Sequence, residues 1–167
     1  LAETSLEDIY AKMDHALSIM RESASSPIQE PKKSIGGLIG GEARLADLHR
    51  ARGAAICGSV LSRAITYSMA VLETNTSMGL IVAAPTAGSC GILPAALLTM
   101  QEEKGFSERD CVMSLFTASA VGMVIANNAS LAGAQGGCQA ECGSAAAMAA
   151  AAIVELAGGT PGMVENA

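Results

Sequence analysis

The sequence predicts an all-α protein: a single-domain helical bundle with glycine-rich loops at helix N-termini. Three observations predict it. Half of the residues are apolar, yet the chain has two Phe, two Tyr and no Trp, so Ala, Leu, Ile, Val and nine Met must fill the core. Small and unbranched side chains of this kind favour closely approaching helices over a β-sandwich. Apolar residues recur at helical spacing, as at Ile9, Met13, Ala16, Leu17 and Met20. Finally, no alternating strand pattern appears beyond the short run from Gly79 to Ala84. At 167 residues the chain suits one domain with a real core.

Taken in order, Ser5 serves as an N-cap with Glu7 and Asp8 in the first turn. It opens an N-terminal amphipathic helix within residues 1–24, ending near Ser23. Residues 25–41 read as a Pro/Gly-rich loop, closing on Ser34-Ile35-Gly36-Gly37-Leu38-Ile39-Gly40-Gly41. Glu42 to Thr74 predicts one or two helices, with a break at Gly53. An irregular turn surrounds Pro85-Thr86-Ala87-Gly88-Ser89-Cys90-Gly91. Pro94 fits the first turn of the next helix, which Gly105 stops. Ser107 with Asp110 resembles a capping box, Asp replacing Glu or Gln, and opens a helix to about Asn128. Leu131 to Gly137 reads as loop, and Cys138 opens an Ala-rich helix closed by Gly158-Gly159. Thr160-Pro161 starts another helix. With no initiator Met and a stop at Ala167, the sequence is expected to be a piece of a longer chain.

The net charge is −6, and the four Lys and six Arg are scattered, so no basic stripe exists to bind nucleic acid. No secretory signal is readable in the charged, amphipathic start. Five Cys in no scaffold spacing predict reduced thiols and a cytoplasmic protein. Two stretches, Thr74 to Gln101 and Cys111 to Ala140, carry no charge over more than a bilayer span. Pro85, Gly88, Gly91 and Pro94 break the first, and Asn127, Asn128 and Gln135 load the second, so no membrane is expected.

Three glycine-rich segments can carry chemistry. The loop at residues 34–41 precedes a helix, and its backbone N–H groups can cradle an anion. No Gly-Lys-Ser/Thr follows, so a small carboxylate fits as well as phosphate; a plain hinge is the alternative. In the loop at residues 85–91, Thr86 and Ser89 either cap the following helix or bind substrate where the glycines admit it. Cys57 and Cys111 read as buried, inert thiols, and Cys90 as packing with a ligand role as the alternative. His15 and His49 have no acid or Cys at ligand spacing and read as helix-surface residues.

The densest segment is Gly136-Gly137-Cys138-Gln139-Ala140-Glu141-Cys142-Gly143. Cys138 and Cys142 share a helix face at i,i+4. A structural zinc needs two more ligands at comparable spacing, and none exists. A redox pair normally has two intervening residues rather than three. An iron–sulfur cluster needs further thiolates, which distant segments can supply. Spacing alone leaves two readings open: an incomplete metal site, or two buried thiols in an Ala-rich helix.

Several motifs resemble the iron–sulfur-dependent L-serine dehydratases, most closely the α chain of the two-chain bacterial enzymes. They are Asn75-Thr76-Ser77-Met78-Gly79, Ala84-Pro85-Thr86-Ala87-Gly88, Gly91-Ile92-Leu93-Pro94, Asn127-Asn128-Ala129-Ser130, Gly136-Gly137-Cys138-Gln139-Ala140-Glu141 and Gly158-Gly159-Thr160-Pro161. The loop at residues 34–41 resembles that family's Ser-Gly-Leu-Thr-Gly-Gly loop. The resemblance implies that residues 1–167 form a helical catalytic domain, incomplete at its C-terminus. It implies a lyase of amino-acid degradation that feeds gluconeogenesis, deaminating L-serine to pyruvate and ammonia without pyridoxal phosphate (PLP). A [4Fe–4S] cluster with an open iron would act as the Lewis acid. Cys138 matches the first cluster ligand, with the remaining ligands expected beyond Ala167. Cys142 departs from the family's usual aliphatic residue and reads as packing or, at best, as an opportunistic thiol.

Substrate-binding candidates beside the matched loops are Ser34, Thr86, Ser89, Asn127, Asn128 and Ser130; no catalytic base is identifiable. The implied partners are L-serine and a β chain or domain of the same enzyme, in an oligomer. The alternative is a non-catalytic, cluster-free helical scaffold that docks a β chain.

Overall fold

Ser5 opens α1 (Leu6–Gln29) as expected: its Oγ accepts a hydrogen bond from the Asp8 amide at 3.0 Å. In the computed structural model, which describes residues 4–53 and 55–167, the helix then runs past the predicted end near Ser23. Residues 1–3, the start of the predicted helix, lie outside the described residues. The reason for the longer helix is at Pro27, which is buried inside it. A proline has no N–H for the carbonyl four residues back, and such an orphan normally ends the helix. Here the Ser23 carbonyl accepts instead from Thr74 Oγ1 at 2.9 Å, so the turn survives. The Pro/Gly-rich loop therefore begins at Glu30 rather than at Ser25.

The remaining elements are α2 (Glu42–Ala51), α3 (Gly58–Thr76), a single 3₁₀ turn (Ala87–Ser89), α4 (Ile92–Lys104), α5 (Glu108–Asn128), α6 (Gly133–Leu156) and α7 (Pro161–Glu165). No strand occurs among the described residues, and the run 79–84 has no regular secondary structure. The fold is all-α, as the composition predicted. Gly53, with φ +70°, separates α2 from α3. Gly105, at φ +71°, stops α4 in the left-handed conformation that only glycine adopts without cost.

At α5 the Ser107 Oγ accepts from the Asp110 amide at 3.2 Å. The shorter Asp side chain reaches only the Ser107 hydroxyl, at 2.6 Å, where a Glu would reach back to the backbone. Ser107→Ala is expected to cost about 1 kcal/mol, read as a lower urea midpoint at unchanged slope.

The core lies where α1, α3, α4, α5 and α6 meet. Leu17, Val71, Leu97, Val112, Leu115 and Ala152 are all but inaccessible, and the Cys90 and Cys111 thiols pack among them. Small residues set the spacing: a Cβ at Gly122 of α5 would fall 3.0 Å from the Met148 sulfur of α6. Helix α5 is long and apolar enough to cross a membrane by length and composition. One side of it, with Cys111, Val112, Leu115 and Ala118, is buried in the bundle.

One boundary differs near the C-terminal half. The predicted loop 131–137 contains a helical turn from Gly133, and the break falls at Gly137 alone (φ 76°, ψ 173°). Cys138 thus still starts a straight Ala-rich helical segment.

Candidate functional site

Two loops are tied to the C-terminal end of α3. In the first, the Ser34 amide donates to the Ile39 carbonyl at 2.7 Å and its Oγ accepts from the Ile39 amide at 3.1 Å. The Ile35 amide then reaches the Thr76 carbonyl at 3.4 Å. In the second, Asn75 Nδ2 donates to the Ala87 carbonyl at 3.0 Å. Just beyond it, a Cβ at Gly91 would lie 2.7 Å from the Ser68 carbonyl oxygen, so glycine lets the start of α4 rest on the α3 backbone.

The anion cradle expected at the first loop exists, and the chain fills it with its own carboxylates. Glu73 of α3, 2% exposed, accepts from the Ala43 amide at 2.7 Å and the Gly41 amide at 3.1 Å. The Gly40 amide donates to Glu42 at 2.6 Å. Hydrogen bonds from the backbone of Glu42 itself and of Gly40 hold the Glu42 carboxyl below its ordinary range. The loop is neither an open phosphate site nor a free hinge.

At the second loop the Thr86 hydroxyl makes no cap bond to the turn it precedes. It donates instead to Glu141 Oε2 of α6, at 2.7 Å. The Ser89 hydroxyl lies 3.0 Å from Thr86 Oγ1 and 3.4 Å from the Thr86 carbonyl. With the Thr86 proton committed to Glu141, Ser89 must be the donor of that pair. Glu141 is set between two glycines: a Cβ at Gly88 would come 2.8 Å from Oε1, and one at Gly133 3.0 Å from Cδ. The carboxylate therefore joins the 85–91 loop to the segment that precedes Cys138.

Glu141 is the residue the sequence reading passed over. Its signal was its position between Cys138 and Cys142 among the glycines. Its partner lies 55 positions away, and nothing local announces that pairing.

The break at Gly137 puts Cys138 in the first turn of the straight segment, exposed, with its Sγ 3.7 Å from that of half-buried Cys142. The reading of two buried thiols does not hold, and Cys142 is not packing in the core. The hydrogen bond with Cys138 and partial desolvation push the Cys142 thiol up. Cys90 and Cys111 are buried as expected; burial raises both, Cys111 to about 11. Cys57 differs: it is exposed at the start of α3, with its sulfur 3.1 Å from Ser62 Oγ. Native-state alkylation read by mass spectrometry is expected to label Cys57, Cys138 and Cys142 and to spare Cys90 and Cys111 until the chain unfolds.

The hydrogen bonds of the other expected residues lead elsewhere than to the Thr86–Ser89–Glu141 cluster. Ser130 donates to Gln135 Oε1 at 2.8 Å and accepts from the Ala132 amide at 3.3 Å, bracing the turn before α6. Asn128 spends its amide on the Val124 carbonyl of its own helix at 2.8 Å, and both Asn127 and Asn128 are exposed. His15 and His49 are exposed on their helices, as read. Among the described residues no group of three or more His, Cys, Asp or Glu is placed to hold a metal ion. Chemically, this end of the bundle holds a carboxylate with one oxygen engaged, the Thr86 hydroxyl, the buried Ser89 hydroxyl (2% exposed) and an exposed thiol at Cys138.

The family model described as the serine dehydratase alpha chain matches residues 1–167. The chain is 46% identical over 161 residues to a probable L-serine dehydratase alpha chain of Bacillus subtilis, covering 96% of this chain and 53% of that one. It is 42% identical over 159 residues to an L-serine dehydratase alpha chain of Peptoniphilus asaccharolyticus, covering 95% and 54%. An L-serine dehydratase of Streptomyces coelicolor is 49% identical over 102 residues, 60% of this chain and 22% of that one. The chain spans about half the length of the alpha chains it matches.

Proposed function

The chain belongs to the serine dehydratase alpha chain family, and from that membership we propose that it serves an L-serine ammonia-lyase that converts L-serine to pyruvate and ammonia. The supporting observation is the junction at Glu141: one carboxylate ties the Thr86–Ser89 loop to the helical segment that Cys138 opens. A substrate loop and a thiolate that must act on one small molecule need a common anchor of this kind.

Cys138 fits as a ligand of an iron–sulfur cluster, being an exposed thiol at a helix start with glycine before it. With no metal-holding group of three among the described residues, the further thiolates of a [4Fe–4S] cluster would come from outside them. When bound, such a cluster supplies a Lewis acid that weakens the bond to the departing hydroxyl. The chain's own part is to hold the substrate. Thr86 carries its hydroxyl at the loop, and Glu141 fixes its direction by accepting the Thr86 proton; Ser89, 2% exposed, supports Thr86 from behind rather than meeting the substrate. Ser34 lies on the loop anchored to the same end of α3, and Ser130 braces the segment leading to Cys138. Asn127 and Asn128, exposed where α5 ends, complete the candidate substrate contacts.

The test uses the complete enzyme, prepared anaerobically with its β chain. Pyruvate release from L-serine and a bound iron–sulfur chromophore are expected. Cys138→Ser should abolish both; a variant that keeps its iron and its turnover sinks the ligand assignment.

A second reading, a cluster-free scaffold that docks a β chain, draws on the outer face of α5, where Met123 and Val124 are each 62% exposed. Co-elution with the β chain, lost on Val124→Asp, supports docking; a cluster in the complex rejects the scaffold-only version.

A further inference from the structure

We propose that the outward face of α5 is covered, in a complete α chain, by a helix from the stretch of that chain that follows α7. Helix α5 is apolar enough to cross a membrane, yet only 33% of its apolar stretch is buried in the bundle. Ala120, Val121, Val124 and Ile125 stand at i, i+1, i+4 and i+5, so they share one side of the helix. With Ala147 of α6 and Val164 of α7 they line a groove of about 410 Å³, in which Glu165 is the one charged residue. Apolar surface left open on this scale marks a contact.

The groove has the form of a helix seat. It runs between helices, and an amphipathic helix lays its apolar side into such a groove. Ala120 and Ala147 are small enough to let a further helix approach closely.

Chain length identifies the occupant. The alpha chains matched at 46% and 42% identity are about twice as long as this one, so roughly as many residues again must find a place on the fold. Helix α7 borders the groove, and elements that follow one another in sequence usually pack side by side. The other candidates fit less well. A bilayer on this face would have to take in the Glu165 carboxylate. A β chain on α5, the second reading above, requires the groove to stay open in the complete α chain. Neither family membership nor chain length depends on serine turnover, so a failed cover and a failed lyase assignment are distinguishable.

The test uses the complete α chain alone, dilute and free of detergent, carrying Val124→Cys or Ala120→Cys. Alkylation at each thiol is read by mass spectrometry. The introduced thiol is expected to label about 100-fold more slowly than in urea, the protection of a closed helix face. Buried Cys90 and Cys111 report in the same sample that the fold is intact. Labelling of both variants at the unfolded rate, with Cys90 and Cys111 still protected, overturns the proposal. Protection that appears only with the β chain, only at high chain concentration or only with phosphatidylcholine vesicles also overturns it, and assigns the face to that partner. Val124→Asp gives an independent measurement. Val124 is 62% exposed within residues 1–167, and a free surface tolerates the change; beneath a cover, the urea midpoint of the complete chain falls. An unchanged midpoint counts against the cover as well.

Discussion

Glu73→Ala is expected to lower the unfolding free energy by about 3 kcal/mol, a large share of the stability of a domain this size. The carboxylate is 2% exposed and accepts from the backbone amides of Gly41 and Ala43. Those amides belong to the start of α2, which has a glycine at its N-cap position and no side-chain cap of its own. Removing the carboxylate leaves two N–H groups without acceptors where water enters poorly, and each costs about 1–3 kcal/mol. Opening a cavity beside α2 adds to that loss.

Glu73→Gln separates the two contributions. Its amide oxygen still accepts one bond, while its NH₂ meets a second donor, so roughly half the loss is expected. Urea unfolding of wild type, Gln and Ala variants should give midpoints in that order at similar slopes. Equal midpoints for all three would falsify the capping role. Exchange of the α2 amides should also quicken in the Ala variant, because α2 is held to α3 through this residue.

These features divide by the range of the forces that make them. Ser5, Ser107 and Thr160 were legible as helix starts because an N-cap hydroxyl and the amide it accepts from lie within one turn. Gly105 was legible because a left-handed stop needs glycine at that one place. The helical class followed from composition and spacing. The end of α1 was not legible, because the bond that rescues the turn at Pro27 comes from Thr74.

The same holds at the site. A helix start after Ser34–Gly41 advertised free amides, and their acceptor, Glu73, comes some thirty residues later. Thr86 looked like a local cap, but Glu141 claimed its proton. Sequence pattern placed Cys138 and Cys142 on one face. Only the break at Gly137 and the packing around it decide that Cys138 stays exposed and Cys142 half-buried.

Glu141→Ala in the complete enzyme is expected to reduce kcat/KM for L-serine by at least about 100-fold, the scale of a positioning error near 1 Å. Global stability should fall by only about 1 kcal/mol, since a single hydrogen bond to a half-exposed group is lost. The argument is geometric. Thr86 Oγ1 has its proton on Glu141, and Ser89 in turn leans on Thr86, so the loop hydroxyls take their direction from that carboxylate. Without it Thr86 can turn, and Ser89 loses a fixed acceptor. Gly88→Ala tests the same contact from the other side, because its Cβ would intrude to 2.8 Å from Oε1 and must displace the carboxylate. A comparable loss of kcat/KM is expected, with the carboxylate chemically intact. Thr86→Ala and Glu141→Ala should not add: if they act as one unit, the double variant is little worse than either single one. Full additivity, or a Glu141→Ala enzyme that loses stability but keeps kcat/KM, would show that the carboxylate only braces the loops.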